Sequence, residues 1–303
     1  MKKYAILRYA IFWIGLTVIL PACRDHAEPV FNQPRYRIDR VIQTRDSVRF
    51  VNHYLFNPDD LPVAVRRFSL PDSVRTLVVL PFTYQADSVR GFEQLQPGLD
   101  RPPVTGSFYQ FHFNNKGQIV SRKTYYTVTP PGQPIRVSQE NYEYDAEGNL
   151  IRLKQYGFAG LRTFFPNPLH VTVSEVNRIS PTKTEIRSTN YSRNGQIGFT
   201  CMDCYLQEPA SLTYGLERRE YDTNINPFYG RYLISPNLEA FERANLVRRE
   251  FYPVGYVNAD WTPIPQAFVA RSEFTYTYNA DRLPVKRAIP GGAEDLQYVY
   301  KTY

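Results

Sequence analysis

Tyr142-Glu143-Tyr144-Asp145-Ala146-Glu147-Gly148-Asn149-Leu150-Ile151-Arg152-Leu153 decides how the chain is read. Two aromatics one residue apart run into Asp, then a Gly-Asn pair, then apolar residues at alternate positions. Period-two alternation puts successive side chains on opposite faces of a strand. A Gly free to take φ > 0 reverses the chain, so the stretch predicts a β-hairpin. Anchored on the second aromatic, the pattern recurs. Tyr54-Leu55-Phe56-Asn57-Pro58-Asp59-Asp60-Leu61, Phe82-Thr83-Tyr84-Gln85-Ala86-Asp87 and Phe111-His112-Phe113-Asn114-Asn115-Lys116-Gly117-Gln118 come first. Their anchors Phe56, Tyr84 and Phe113, and then Tyr144, lie 28, 29 and 31 residues apart. Tyr191 and Tyr221 carry further copies, 30 apart. Arg218-Arg219-Glu220-Tyr221 is echoed by Arg248-Arg249-Glu250-Phe251, and Tyr276-Thr277-Tyr278-Asn279-Ala280-Asp281-Arg282-Leu283-Pro284 closes the series.

A period near 30 holds two strands of about 8 to 10 residues and two connections. The expected fold is therefore all-β: an antiparallel meander of consecutive hairpins over residues 36–303. Beyond about ten strands such a sheet must curl or close, so it forms one large curled sheet or open barrel. Pro-rich loops at 97–103, 130–134 and 263–265 interrupt the meander. Ser235–Ala244 reads as one short helix, with Ser as cap and Pro in the first turn, lying as a plug against the sheet.

Ahead of this domain, residues 1–22 carry Lys2, Lys3 and Arg8 and then an apolar run of about a dozen residues, Tyr9–Leu20. That length suits a secretory signal rather than a spanning helix, which needs about 20. The run ends in Leu20-Pro21-Ala22-Cys23, which resembles a bacterial lipobox, although Pro21 departs from the usual residue. The resemblance implies acylation of Cys23 as the first mature residue; ordinary signal-peptidase cleavage is the alternative. Residues 23–35 then form a lipidated tether. Arg24-Asp25-His26-Ala27-Glu28 is similar to the charged signal that sends Bacteroidota lipoproteins to the cell surface, with the periplasmic face of the outer membrane as the other destination.

Loss of the signal removes three basic residues and no acidic one, so the formal charge of +7 becomes +4. A mild, scattered excess of that kind does not suit a nucleic-acid partner. Aromatics make up 15% of the chain and Tyr outnumbers Phe, 24 to 19, a usage that fits half-exposed sheet faces. With Cys23 assigned to lipid, Cys201 and Cys204 remain as a pair spanning one turn, within disulfide reach. Thiol-redox chemistry or half a zinc site are the alternatives, and neither has a second Cys pair, clustered His or a surrounding βαβ pattern to support it.

The tetrapeptide Asp-Ser-Val-Arg occurs at 46–49, 72–75 and 87–90. As structure it is a turn, Asp and Ser bonding their own backbone. Asp-Ser-Val also resembles the O-glycosylation motif of exported Bacteroidota proteins, which would modify Ser47, Ser73 and Ser88. With the Tyr142–Leu150, Tyr221–Phe228 and Tyr276–Pro284 motifs, the chain resembles Bacteroidota lipoproteins with tyrosine–aspartate (RHS-like) repeats, a family of unknown function. The resemblance implies an envelope location and a β-rich fold, and it supplies no catalytic residue.

The sequence has no Gly-x-Ser-x-Gly, P-loop, dinucleotide glycine fingerprint or His-Glu-x-x-His. His26, His53, His112 and His170 stand apart, with His112 facing opposite to Phe111 and Phe113, and no metal or cofactor is expected. Trp261, the one Trp beyond the signal, either stacks on a sugar or partner or folds back over the sheet end. Two readings of function result. The first is a non-catalytic binding or structural module, held on the membrane by lipid and contacting glycan or another envelope protein. The second is a hydrolase of envelope or extracellular polysaccharide, which a cluster of Asp or Glu in a deep cleft would favour.

Overall fold

The structure is a computed structural model and describes residues 36–45, 47–71, 76–86, 88–95, 104–126, 134–158, 167–193, 198–208, 210–235, 238–265, 268–290 and 294–302. The signal, Cys23, the tether and Ser73 lie outside these residues. Arg37–Lys301 make one compact unit. It is all-β, as the period requires. Its strands are β1 (Tyr36–Arg45), β2 (Val48–Phe56), β3 (Pro62–Leu70), β4 (Thr76–Tyr84), β5 (Ser88–Leu95) and β6 (Val104–Phe113), followed by β7 (Ile119–Tyr126), β8 (Ile135–Tyr144), β9 (Leu150–Gly157), β10 (His170–Ser180), β11 (Lys183–Ser192) and β12 (Ser211–Tyr221). The last are β13 (Leu246–Val257), β14 (Ala270–Glu273), β15 (Thr275–Tyr278), β16 (Pro284–Ala288) and β17 (Glu294–Thr302).

All seventeen belong to one sheet, each paired with its neighbours in sequence except β14 with β15, and β17 also pairs with β1. The meander thus returns to its start, and the sheet is nearly closed into an up-and-down barrel. β14 and β15 are two halves of one strand, interrupted at Phe274; β14 pairs with β13 and β15 with β16.

Because strand direction alternates, every second connection falls at the same rim. One rim collects the tight reversals after Phe56, Phe113, Tyr144 and Tyr278. In each the Asx side chain that follows the aromatic accepts the backbone N–H four residues on: Asn57 from Leu61 at 2.8 Å, Asn114 from Gln118 at 3.0 Å, Asp145 from Asn149 at 2.7 Å and Asn279 from Leu283 at 2.9 Å. The fourth residue of each turn is left-handed: Asp60, Gly117, Gly148 and Arg282 have φ of 60°, 73°, 86° and 64°. A shift in pairing register accompanies each turn. This is a type I turn closed by a one-residue bulge, which is why the repeat ends in Asx and needs Gly or a tolerant residue three positions later.

At Gly117 an added Cβ would meet nothing within 4 Å, so Gly117→Ala isolates backbone strain from crowding. Chemical denaturation should show a loss of about 1 kcal/mol, the usual cost of holding an L-residue in that region. An unchanged midpoint would mean that the turn is not under left-handed constraint.

Two parts of the periodic pattern do not describe repeat units. Tyr191 ends β11 at the opposite rim, so it is out of phase with the other anchors. Arg218–Tyr221 and Arg248–Phe251 lie on antiparallel neighbours, with Arg218 opposite Glu250 and Glu220 opposite Arg248. Their likeness reflects complementary charge on two paired strands running in opposite directions.

Tyr221 is followed by residues 222–245 rather than by a tight turn. This segment turns inward: Tyr232, Leu233, Ile234, Ala240 and Phe241 join one core with the wall residues Ile38, Tyr54, Val65, Phe111, Tyr142, Val176, Ile186 and Tyr298. A wall of this many strands leaves a lumen too wide for its own side chains to fill, so the insertion occupies it. The ten-residue helix expected there is a 3-10 turn of four residues, Leu238–Phe241. Tertiary partners take the carbonyls that an α-helix would use. Asn226 Nδ2 donates to Glu239 O and Glu242 O at 2.7 and 2.8 Å, and Gly230 N–H donates to Ala240 O at 2.9 Å.

Candidate functional site

The sheet's pleat sorts its side chains. Tyr142, Leu153, Ile186 and Glu217 point toward the plug, so their neighbours along each strand point outward. Along β8–β14 and β16–β17 the outward set is charged and cross-paired, whereas on β5–β7 Phe92, Phe108 and Tyr125 stack on one another. Arg152 bonds Glu143 at 2.9 Å and reaches Glu175 at 3.5 Å, and Lys154 bonds Glu143 at 3.0 Å. Glu185 binds Arg187 and Arg218 at 2.9 and 3.1 Å, Glu250 binds Arg248 and Arg271 at 2.9 and 3.3 Å, and Lys286 binds Asp295 at 2.8 Å. On a lipid-facing wall each Lys or Arg at mid-membrane depth would cost about 2–4 kcal/mol. These charged strands suit water.

Inside, the plug divides the lumen. Asp222 holds its base: the carboxylate accepts N–H from Asn224 and Asn245 at 3.0 Å each and the hydroxyl of Tyr278. Three ion pairs tie the plug to the wall, Arg231–Asp60 at 2.9 Å, Arg178–Glu242 at 3.0 Å and Arg287–Glu239 at 3.5 Å. On the far side of the plug from the tight turns lies a cavity of about 480 Å³. Its floor is Tyr142, stacked on Phe241 at 5.1 Å, with Leu238 beside it. One wall, from β9, β10 and β11, presents Gln155, Thr172, Ser174 and Ser188; Ser174 and Ser188 share a hydrogen bond of 2.8 Å.

The other walls are ionic. Glu140 accepts the Tyr142 hydroxyl and lies 3.5 Å from Arg122. Glu217 accepts Arg219 Nε at 2.7 Å and Arg249 Nε at 2.6 Å, with Arg249 Nη2 at 3.3 Å. Burial by itself would push the Glu217 carboxyl up, but the charges and hydrogen bonds of Arg219 and then Arg249 outweigh it and hold the group below its ordinary range. It is an ionised anchor for two guanidiniums and is not tuned as a proton donor. Nothing in its sequence context marked this group, because its partners come from two strands.

The residues singled out by sequence lie elsewhere. Cys201 and Cys204 form a disulfide, Cα atoms 5.1 Å apart. It sits in the loop after β11 that covers an outer cluster of Tyr156, Phe158, Val171, Phe199 and Tyr205. Trp261 closes the turn after β13 with φ 61°, its ring edge-on to Tyr214 at 5.8 Å and under Arg187 at 5.5 Å, half-buried on the outer wall. Ser47 is exposed between β1 and β2, whereas Ser88 is 3% exposed and donates to Gln85 Oε1 at 3.2 Å. A glycan on Ser88 would have to displace the start of β5. His53 lies 3.5 Å from Asp39, and His112 faces outward from Phe111 as its position in the strand requires. The His170 ring covers Gly157, where any Cβ would fall 2.1 Å from it, and burial lowers the pKa of that imidazole. Among the described residues no group of three or more His, Cys, Asp or Glu is placed to hold a metal ion.

No protein-family profile matches the sequence, and no curated protein does. One solved structure shares its fold, and a second is similar. A porin-like protein from Bacteroides vulgatus ATCC 8482 is 9% identical with a TM-score of 0.50, covering 88% of this chain and 99% of its own. A porin-like protein from Bacteroides uniformis ATCC 8492 is 6% identical with a TM-score of 0.49, covering 87% and 96%.

Proposed function

We propose that this chain is an outer-membrane lipoprotein whose plugged, water-facing barrel is a non-catalytic binding module for saccharide, taken up in the lumen cavity. The cavity supports the reading best. It combines an aromatic floor, a wall of hydroxyl and amide groups, and carboxylates fixed by arginines. That combination suits a polyhydroxylated ligand with one apolar face. The acylated Cys23 would supply the attachment, since the charged strands β8–β14 do not suit lipid, and β1 enters the sheet at the tight-turn rim. The long loops and the cavity then lie toward the opposite rim, where a ligand outside the membrane would arrive. The tyrosine–aspartate repeats fit this role as scaffold: their Asx residues are consumed in turns.

The hydrolase reading has one feature in its favour, two carboxylates, Glu140 and Glu217, on one cavity. Both are bound by arginines, and Glu217 is held ionised, which leaves it unsuited to protonate a leaving group. We therefore assign no catalysis to the site.

Two measurements test the proposal. A glycan array probed with the chain lacking its signal and tether should show saccharide binding without turnover; release of reducing ends would move the assignment to the hydrolase. Cys23→Ala in the full chain should convert the protein from detergent-phase to aqueous-phase partitioning. Retention in the detergent phase would mean that the barrel itself enters lipid.

A further inference from the structure

The cavity is charged unevenly, and the imbalance says which saccharide it fits. Its lining brings three arginines, Arg122, Arg219 and Arg249, against two glutamates, Glu140 and Glu217. Arg122 faces Glu140. Arg219 and Arg249 share Glu217, one carboxylate for two guanidiniums. Glu242, outside the lining, pairs with Arg178 at 3.0 Å and also feels the charge of Arg219. Among the described lining residues the arginines thus outnumber the carboxylates by one.

The two partners of Glu217 differ in exposure. The Arg219 side chain is 9% exposed and committed, whereas that of Arg249 is 41% exposed and lies over the Phe251 ring at 5.2 Å. A guanidinium has five donors in a planar fork, so Arg249 can hold Glu217 through Nε and still present N–H groups to a second carboxylate. Phe251 beside it and the Ser174–Ser188 hydroxyls are further lining groups of the same pocket.

Resting on the saccharide reading above, we infer that the ligand is acidic: a hexuronate residue whose carboxylate is taken by Arg249, with its ring on the aromatic floor and its hydroxyls toward Gln155, Thr172, Ser174 and Ser188. Carboxylated sugar polymers are the substrate class, and a neutral glucan or mannan lacks the group that Arg249 offers to bind.

Titration calorimetry with tetragalacturonate and tetramannuronate, each beside its fully methyl-esterified form, separates charge from ring shape. The esterified forms keep every hydroxyl and lose only the anion. At least one free acid should bind about tenfold more tightly than its ester, the size expected of one charge-assisted contact, and the gap should shrink with added salt. Arg249→Gln should reduce the gap to less than about threefold, and Arg249→Lys should retain part of it. Circular dichroism of both variants should match the parent, since Arg249 is at the solvent-reached side of the pocket. Equal affinity for acid and ester, or a gap that survives Arg249→Gln, overturns this inference and leaves the saccharide site standing. Binding of neither form of any tetramer, with none on the array, overturns both.

Discussion

Phe241→Ala is expected to lower the unfolding free energy by about 3–5 kcal/mol, the range for deleting a buried Phe side chain whose surroundings cannot collapse. Phe241 is where the plug meets the wall. It stacks on Tyr142 at 5.1 Å, packs on Tyr232 at 5.0 Å and lies 6.4 Å from Tyr144. The wall is fixed by its hydrogen-bond ladders and cannot move in to fill the space, so the void persists. The loss should be read by urea denaturation at constant m-value. A fall in m as well would indicate that the plug leaves the lumen in the variant's native state. A loss below about 1 kcal/mol would mean that the plug does not contribute to the core, and the division of the lumen described above would fail.

Glu217→Ala is expected to cost a similar amount, about 3–5 kcal/mol, for a different reason. It leaves the guanidinium of Arg219, 8% exposed, without its counter-charge. Replacing Glu217 and Arg219 together by Leu and Met should restore most of that stability, because the penalty lies in the orphaned charge and not in the loss of an attraction. The same group sets an acid limit. Its pKa is depressed below the ordinary value of 4.5, so its contribution is fully present above that value and is lost as pH falls through the folded pKa. Glu242 has the opposite sign. Burial raises its pKa, and Arg178 offsets the rise only in part, so its contribution is present at low pH and lost as pH rises through the folded value. Glu217→Gln should therefore flatten the fall in thermal midpoint on the acid side of 4.5, and Glu242→Gln should flatten the decline on its alkaline side. A parent midpoint that does not change below pH 4.5 would exclude Glu217 as an ionised anchor.

The cavity itself was legible in the sequence only as separate strands. Arg219 and Arg249 stood out as an echo 30 residues apart, and the echo suggested a repeat. Their closeness arises because β12 and β13 are antiparallel neighbours whose pairing sets Arg219 directly opposite Arg249. Glu140 and Glu217 gave no signal at all. They line one cavity across three intervening strands and the curvature of the barrel, and no spacing rule encodes that. The helix expected at 235–244 followed from correct local signals, a Ser cap and an early Pro. It shortened to one turn because Asn226 and Gly230 take the carbonyls of Glu239, Ala240 and Glu242.

What the sequence determined by itself was local. Asx after an aromatic, and a residue tolerant of φ > 0 three positions later, is sufficient to reverse a chain, so the hairpins and their antiparallel order could be read directly. Tertiary structure alone decided that β17 pairs with β1, that residues 222–245 go inside, and that the charges alternating along β8–β13 divide into an outward ion-paired face and an arginine-rich pocket. Those outcomes depend on which strands become neighbours across hundreds of residues. A two-residue alternation specifies that a strand has two faces, and only closure of the sheet specifies which of them is inside.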